Sequence, residues 1–276
     1  MPQKKHSSSK TTKASKASKA SASGPKPPNA TPNWPALKPL VPPSDLTLHT
    51  LLPSQIVTIS QLFTSTLCKT YVNFLKDLPL TTTPGKPKKG EALRFNDRFQ
   101  VADEAFANRL WLETGLKELI CGREEEGEGD SGVGKGPAMT QQERRKLWGG
   151  EVIGLNPSIR IYRYTKGQFF DCHYDESNFL TLATKPTTTP AKTTWTLLLY
   201  LTSSSTGCIG GETVFYPDEV IPGAKKNVTE EEVVVGLETG MCLLHKHGND
   251  CMLHEGREVL EGEKWVIRSD LCVKRE

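Results

Sequence analysis

The chain has 276 residues, 36% hydrophobic and 24% charged, with a formal net charge of +3. That is enough for one substantial domain or two small ones. No run of 18 apolar residues occurs, which excludes a membrane-spanning helix, and the first thirty residues lack an apolar stretch, so no secretory leader is expected.

The charge is uneven. Residues 1–44 hold eight lysines, no arginine and no acid, which leaves −5 for residues 45–276. Three Lys-Ala-Ser triplets (13–21) run into a Pro-rich stretch. This composition predicts a disordered tail over 1–44. The tail could send the chain to the nucleus or contact nucleic acid weakly. The mildly acidic body is a poor match for a phosphate backbone.

A single domain is expected over 45–276, with a helical part over 45–150. Ser60 reads as the N-cap of a helix reaching Leu78, because Leu62, Phe63, Leu67, Tyr71, Phe74 and Leu78 recur at helical spacing. A second helix is predicted over Glu104–Ile120, with Phe106, Leu110, Trp111 and Leu116 inward. Residues 122–137 are acidic and Gly-rich and read as a mobile insertion. Over 151–276 the pattern turns strand-like at Val152–Leu155, Ser158–Tyr164, Thr194–Thr202, Thr213–Tyr216, Glu232–Gly236, Met241–His245 and Lys264–Val273. Strands in series without intervening helices predict a sandwich, barrel or jelly roll. Residues 177–193 and 217–231 read as loops. The seven cysteines, at 68, 121, 172, 208, 242, 251 and 272, are odd in number and contain no Cys-x-x-Cys. They argue against a disulfide framework and suit a reducing compartment, the cytoplasm or nucleus.

The chemistry concentrates in RYTKGQFFDCHYDE, residues 163–176. In extended backbone, His173 and Asp175 point to the same side and can meet one metal ion. Downstream, LHEGREVLEGEKWVIRSD (253–270) supplies His254 and, ten residues later, Lys264. Two imidazoles and one carboxylate on one face of an octahedron suit Fe(II) and leave the opposite face for a bidentate co-substrate and O2. A register with His247 as the distal ligand also exists, but Arg257, ten residues after it, sits in a Gly-flanked turn. A zinc cluster of His245, His247, Cys251 and His254 is a further alternative. It leaves His173 and Asp175 unexplained.

These motifs occur together and in order: Arg163-Tyr164, Gly167, His173-x-Asp175, Thr196 to Leu201, Gly210-Gly211-Glu212-Thr213-x-Phe215, His254 and Lys264. The set, spanning about residues 152–273, resembles the prolyl 4-hydroxylase branch of the 2-oxoglutarate- and Fe(II)-dependent dioxygenases. FNDRF (95–99) resembles a segment preceding this domain in some microbial relatives.

The resemblance implies a mainly β fold with α: a double-stranded β-helix (jelly roll) with N-terminal helices packed on its outer face. His173, Asp175 and His254 would bind iron. Lys264 would anchor the far carboxylate of 2-oxoglutarate, with Arg268 as the alternative or second anchor. Tyr164 would line the co-substrate pocket. Tyr200 would donate to the same carboxylate, and Thr196 would form the pocket floor.

The implied reaction hydroxylates a substrate, peptidyl proline first, and releases succinate and CO2. Fe(II), 2-oxoglutarate and O2 are the implied cofactors, with ascorbate as a reductant of the iron. A protein, a peptide or a small molecule is the expected partner. The nucleic-acid-dealkylating branch carries an arginine six residues after the distal histidine, where this chain has Leu260. The competing class is a non-catalytic, cupin-like metal-binding or interaction module.

Overall fold

The computed structural model describes residues 31–83, 87, 90–122, 139–184, 187–217 and 232–275. Two antiparallel sheets face each other. The larger runs, in spatial order, through Leu48–Leu52, Ile56–Ile59, Cys242–Lys246, Thr187–Tyr200, Glu263–Lys274, Ser158–Thr165, Asp97–Ala102 and Thr81–Thr82. The smaller runs through Val233–Val235, Thr213–Tyr216, Leu253–Gly256, Phe169–His173 and Arg94–Phe95. Apart from the hairpin of Leu48–Leu52 and Ile56–Ile59, most neighbours in these two orders are distant in sequence, and the fold is the expected jelly roll.

Alternation divides the core. On the Thr187–Tyr200 strand, Trp195, Leu197 and Leu199 point outward into a cluster with the helices, and Thr196, Leu198 and Tyr200 point between the sheets. Trp265 joins the outer cluster, where full burial of such a side chain contributes about 1.5–3 kcal/mol. At the mouth of the roll, Gly210 and Gly211 both have φ +77°, and a Cβ on Gly210 would lie 2.5 Å from the Glu258 carbonyl oxygen. Only glycine fits that approach.

Several boundaries differ from the sequence reading. The first helix is Ser65–Leu75, capped by the Thr64 hydroxyl, which accepts from the Leu67 amide at 3.2 Å. Ser60 does not cap it, because Gln61 has a left-handed φ of 55° and turns the chain first. The segment predicted as one helix over Glu104–Ile120 is two, Glu104–Glu113 and Leu116–Cys121. Gly115, at φ +78°, breaks it. The four predicted inward residues are buried all the same. A short helix, Gln141–Trp148, starts on a Thr140–Glu143 capping box that the sequence reading passed over.

The tail expectation holds for no described residue beyond Ala30. Trp34 and Leu37 are buried, and the Trp34 indole stacks on Phe106 at 4.0 Å and donates to Asp103 at 2.7 Å. Two large apolar side chains dock a segment whose average composition conceals them. Residues 1–30, nearly all of the 122–137 insertion and most of 217–231 lie outside the described residues. Residues 177–193 are not a loop. Phe179–Thr184 pairs with the first half of Thr187–Tyr200 as a Thr-rich hairpin.

Candidate active site

His173 ends its strand and His254 lies directly opposite on the neighbouring strand. Asp175 follows on extended backbone, so the predicted parity is met. The ligating atoms of His173, Asp175 and His254 lie within 4.8 Å of one another. His173 Nε2 is 3.9 Å from Asp175 Oδ1, and His254 Nε2 is 3.8 Å from Oδ2. Each imidazole turns its Nδ1 to a backbone carbonyl, Asp171 at 2.8 Å and Met252 at 2.9 Å. Those contacts put the proton on Nδ1 and leave the Nε2 lone pairs toward the aspartate. Burial, then the neighbouring His254, pushes the His173 imidazole down to about 3, so it is neutral at physiological pH. Burial also lowers His254. Neutral nitrogens and one anionic oxygen are the donor set that Fe(II) requires.

Asp175 is held from behind. Burial pushes its carboxyl up, but Arg268 and the three imidazoles of His254, His245 and His173 outweigh this and hold it well below the usual range. Arg268 donates to Oδ1 at 3.1 Å and meets Oδ2 at 3.0 Å. The Thr196 hydroxyl donates to Oδ2 at 2.8 Å. Thr196 has then spent its only hydrogen, so its 2.9 Å contact with His247 Nδ1 is a bond that the imidazole donates. His247 Nε2 must accept, and Thr193 donates to it at 2.9 Å. A directed chain therefore runs Thr193, His247, Thr196, Asp175. This changes two expectations. Thr196 does not line the pocket but steadies the aspartate. Arg268 reaches the pocket, yet its fork is committed to Asp175, with Asp270 3.5 Å away. His247 supports and does not converge with the triad.

The far end of the pocket holds Lys264. Its ammonium is buried, donates to the Gly211 carbonyl at 2.7 Å and lies 5.4 Å from the ring centres of both Tyr164 and Tyr200. Among the described residues, no carboxylate pairs with it. Burial pushes it down to about 8, against the upward pull of Cys208 and Glu212. Tyr164 lines the pocket as expected. Tyr200 is not itself a lining residue, and its hydroxyl is engaged at 2.6 Å with Thr213, which is. Triad and lysine line one pocket.

Sequence reasoning missed one neighbour, Phe170, and named another, His245, only in the zinc alternative, of which His245, Cys251 and His254 do lie together. His245 lines the pocket fully buried, with Nε2 3.7 Å from Asp175 and both ring nitrogens lacking a hydrogen-bond partner. The Phe170 ring stacks on His173 at 3.5 Å. Strand parity marks His245 but not Phe170, which is three residues from His173 beside a register shift, and only the pairing of Thr196 with His245 brings the His245 strand to the site.

A family model described as the 2OG-Fe(II) oxygenase superfamily matches residues 159–269. The matched segment contains the triad, Lys264 and Arg268. The chain is similar in structure to a viral collagen prolyl hydroxylase from Paramecium Bursaria Chlorella virus-1 in its 2OG complex. The identity is 13%, over 79% of this chain and 96% of that one, with TM-score 0.46. It is similar also to a Trichoplax adhaerens prolyl hydroxylase in complex with a hypoxia inducible factor peptide fragment (14%, 79% and 83%, 0.48). A third is HygX from Streptomyces hygroscopicus with nickel and 2-oxoglutarate bound (13%, 80% and 84%, 0.46). No curated protein matches the chain. The superfamily uses Fe(II), 2-oxoglutarate and O2, and the residues present fit them. Two tautomer-fixed imidazoles and a braced carboxylate suit the metal, and a buried cation without a counter-ion suits a dicarboxylate.

Proposed function

We propose that this oxygenase hydroxylates a prime substrate, with peptidyl proline as the first candidate, and releases succinate and CO2. The observation that carries the reading is the placement of Lys264. A buried ammonium with no carboxylate partner among the described residues is costly, and this one lines the same pocket as the His173–Asp175–His254 triad.

His173, Asp175 and His254 would hold the iron. With 2-oxoglutarate and O2, the iron supplies the oxidising chemistry that hydroxylates an unactivated C–H bond. The rest falls to the chain. Lys264 pairs with the distal carboxylate of the co-substrate and fixes its direction. Tyr164, Leu198 and Val266 wall the pocket and exclude water. Arg268 and Thr196 keep Asp175 ionised and oriented.

The test is anaerobic. Protein loaded with Fe(II) is titrated with 2-oxoglutarate while the visible metal-to-ligand charge-transfer band is followed. A band that is lost in His173→Ala and needs far more 2-oxoglutarate in Lys264→Ala is the expected result. No band with metal verifiably bound would overturn the reading. Aerobic incubation with proline peptides, read as succinate and as a 16 Da gain on the peptide, tests the substrate class.

A further inference from the structure

Beside the pocket, two arginines face each other from the two sheets. Arg94 is the strand partner of Phe170, and Arg98 is the strand partner of Tyr162. Phe170 and Tyr162 both line the pocket, and cross-strand partners share a face. The Arg94 guanidinium lies 5.0 Å from the Phe170 ring centre and 5.8 Å from that of Tyr162, and its Nε is buried without a hydrogen-bond partner. Arg98 is half-buried, and its hydrogen bond goes to the neutral Gln100. Among the described residues, neither arginine has a carboxylate within salt-bridge distance.

Charge accounting sharpens this. The pocket and the inner face beside it carry Arg94, Arg98, Arg160, Arg268 and Lys264 against Asp175, Asp270 and Glu255, and Glu255 accepts from the Tyr216 hydroxyl and lies 3.8 Å from Arg257. Arg268 is committed to Asp175, and Arg160 lies 3.5 Å from Asp270. Fe(II) adds two positive charges and 2-oxoglutarate two negative ones, so loading leaves the excess unchanged. Lys264 is answered by the co-substrate. Among the described residues, no carboxylate pairs with Arg94 or Arg98. Burial, together with the nearby Arg94, Arg160 and Arg268 cations, lowers the Arg98 guanidinium below its usual range, as crowding of like charge requires.

We infer that Arg94 and Arg98 form an anion subsite that reads a carboxylate on the prime substrate, next to the carbon that is hydroxylated. In a peptidyl proline substrate, that carboxylate is an acidic side chain beside the proline. The inference rests on the oxygenase reading above and adds the charge class of the substrate. An Arg pair accepts a planar carboxylate through forked hydrogen bonds that lysine cannot reproduce.

The probes are three matched peptides in which one proline is flanked by Glu, Gln or Lys. They are added anaerobically to protein loaded with Fe(II) and 2-oxoglutarate, and the shift of the charge-transfer band reports binding. The Glu peptide is expected to bind about tenfold or more tighter than the Gln peptide, with the Lys peptide weakest. The preference should shrink as salt rises. It should vanish in Arg94→Gln/Arg98→Gln and persist in part in Arg94→Lys/Arg98→Lys. The band given by 2-oxoglutarate alone reports that each variant is folded and loaded. Equal binding of the Glu and Gln peptides, a preference that survives in the double Gln variant, or no binding of the Glu peptide would each overturn the subsite. Absence of the 2-oxoglutarate band in the unmutated protein is a different result and removes the oxygenase reading itself.

Discussion

Arg268 grips Asp175 through both carboxylate oxygens, with Nη1 3.1 Å from Oδ1 and Nη2 3.0 Å from Oδ2. The two residues are 93 positions apart in sequence, and their pairing turns a pocket-lining arginine into the brace of a metal-ligand candidate. Arg268→Met leaves the Asp175 charge buried without its partner, at a cost of about 3–5 kcal/mol. The aspartate is also freed to turn, and metal affinity should fall about 10–100-fold. Chemical denaturation and a Co(II) titration measure the two effects. A variant with unchanged stability and unchanged metal affinity would show the brace to be inert.

Lys264→Met should separate stability from ligand binding. In the ligand-free protein, the substitution removes a buried cation that has no carboxylate partner among the described residues, so melting temperature should hold or rise. The affinity for 2-oxoglutarate should fall by about 2–5 kcal/mol. A variant that loses stability but binds 2-oxoglutarate normally would move the anchor elsewhere.

The depressed histidines give the ligand-free protein a pH dependence of definite sign. His173 titrates at 6.5 when unfolded and near 3 when folded. Below pH 6.5 the unfolded chain binds the extra proton. Stability is therefore fully present above that pH and is lost as pH falls, by about 1.4 kcal/mol per unit for one such group, until about pH 3. His245, His247 and His254 are lowered by burial too and act in the same direction. Melting temperature should therefore drop steadily between pH 7 and pH 5 and should drop less in His245→Phe. A flat profile would contradict the neutral, buried imidazoles.

At the alkaline end Lys264 sets the limit. Its ammonium is lowered to about 8 in the ligand-free pocket, and it must be charged to pair with a carboxylate. The concentration of 2-oxoglutarate that half-fills the charge-transfer band should rise above about pH 8. Lys264→Arg, which keeps its charge to much higher pH, should lose that dependence. The same alkaline rise in the Arg variant would assign it to another group.

Thr196→Val cuts the directed chain at its middle. Asp175 Oδ2 loses a donor and His247 Nδ1 loses its acceptor in a fully buried setting. A cost of about 1–3 kcal/mol per orphaned group follows. Thr196→Ser keeps the hydroxyl and should restore most of the stability. Equal loss in both variants would point to packing of the methyl group instead of the hydrogen bonds.

Much of the site was legible from residue order. The parity of His173 and Asp175, the spacing from His254 to Lys264 and the glycine turn at Gly210-Gly211 are local, because each depends on strand alternation or on the steric demands of one backbone position. The outward face of Trp265, one residue past Lys264, is set by the same alternation. Helix ends were less legible, since a left-handed Gln61 and a left-handed Gly115 outrank an apolar period that runs straight through both.

What only the tertiary structure decided is which side chain spends its hydrogen bonds on which other. Sequence placed Thr196, Tyr200 and Arg268 on the pocket face of their strands, and on that basis all three read as co-substrate contacts. Folding brought Thr213 to Tyr200, Asp175 to Thr196 and Arg268, and Arg94 across from Arg98. A buried polar group is satisfied by whatever partner the sheet register delivers. In a jelly roll, that register joins strands distant along the chain, which a local periodicity cannot see.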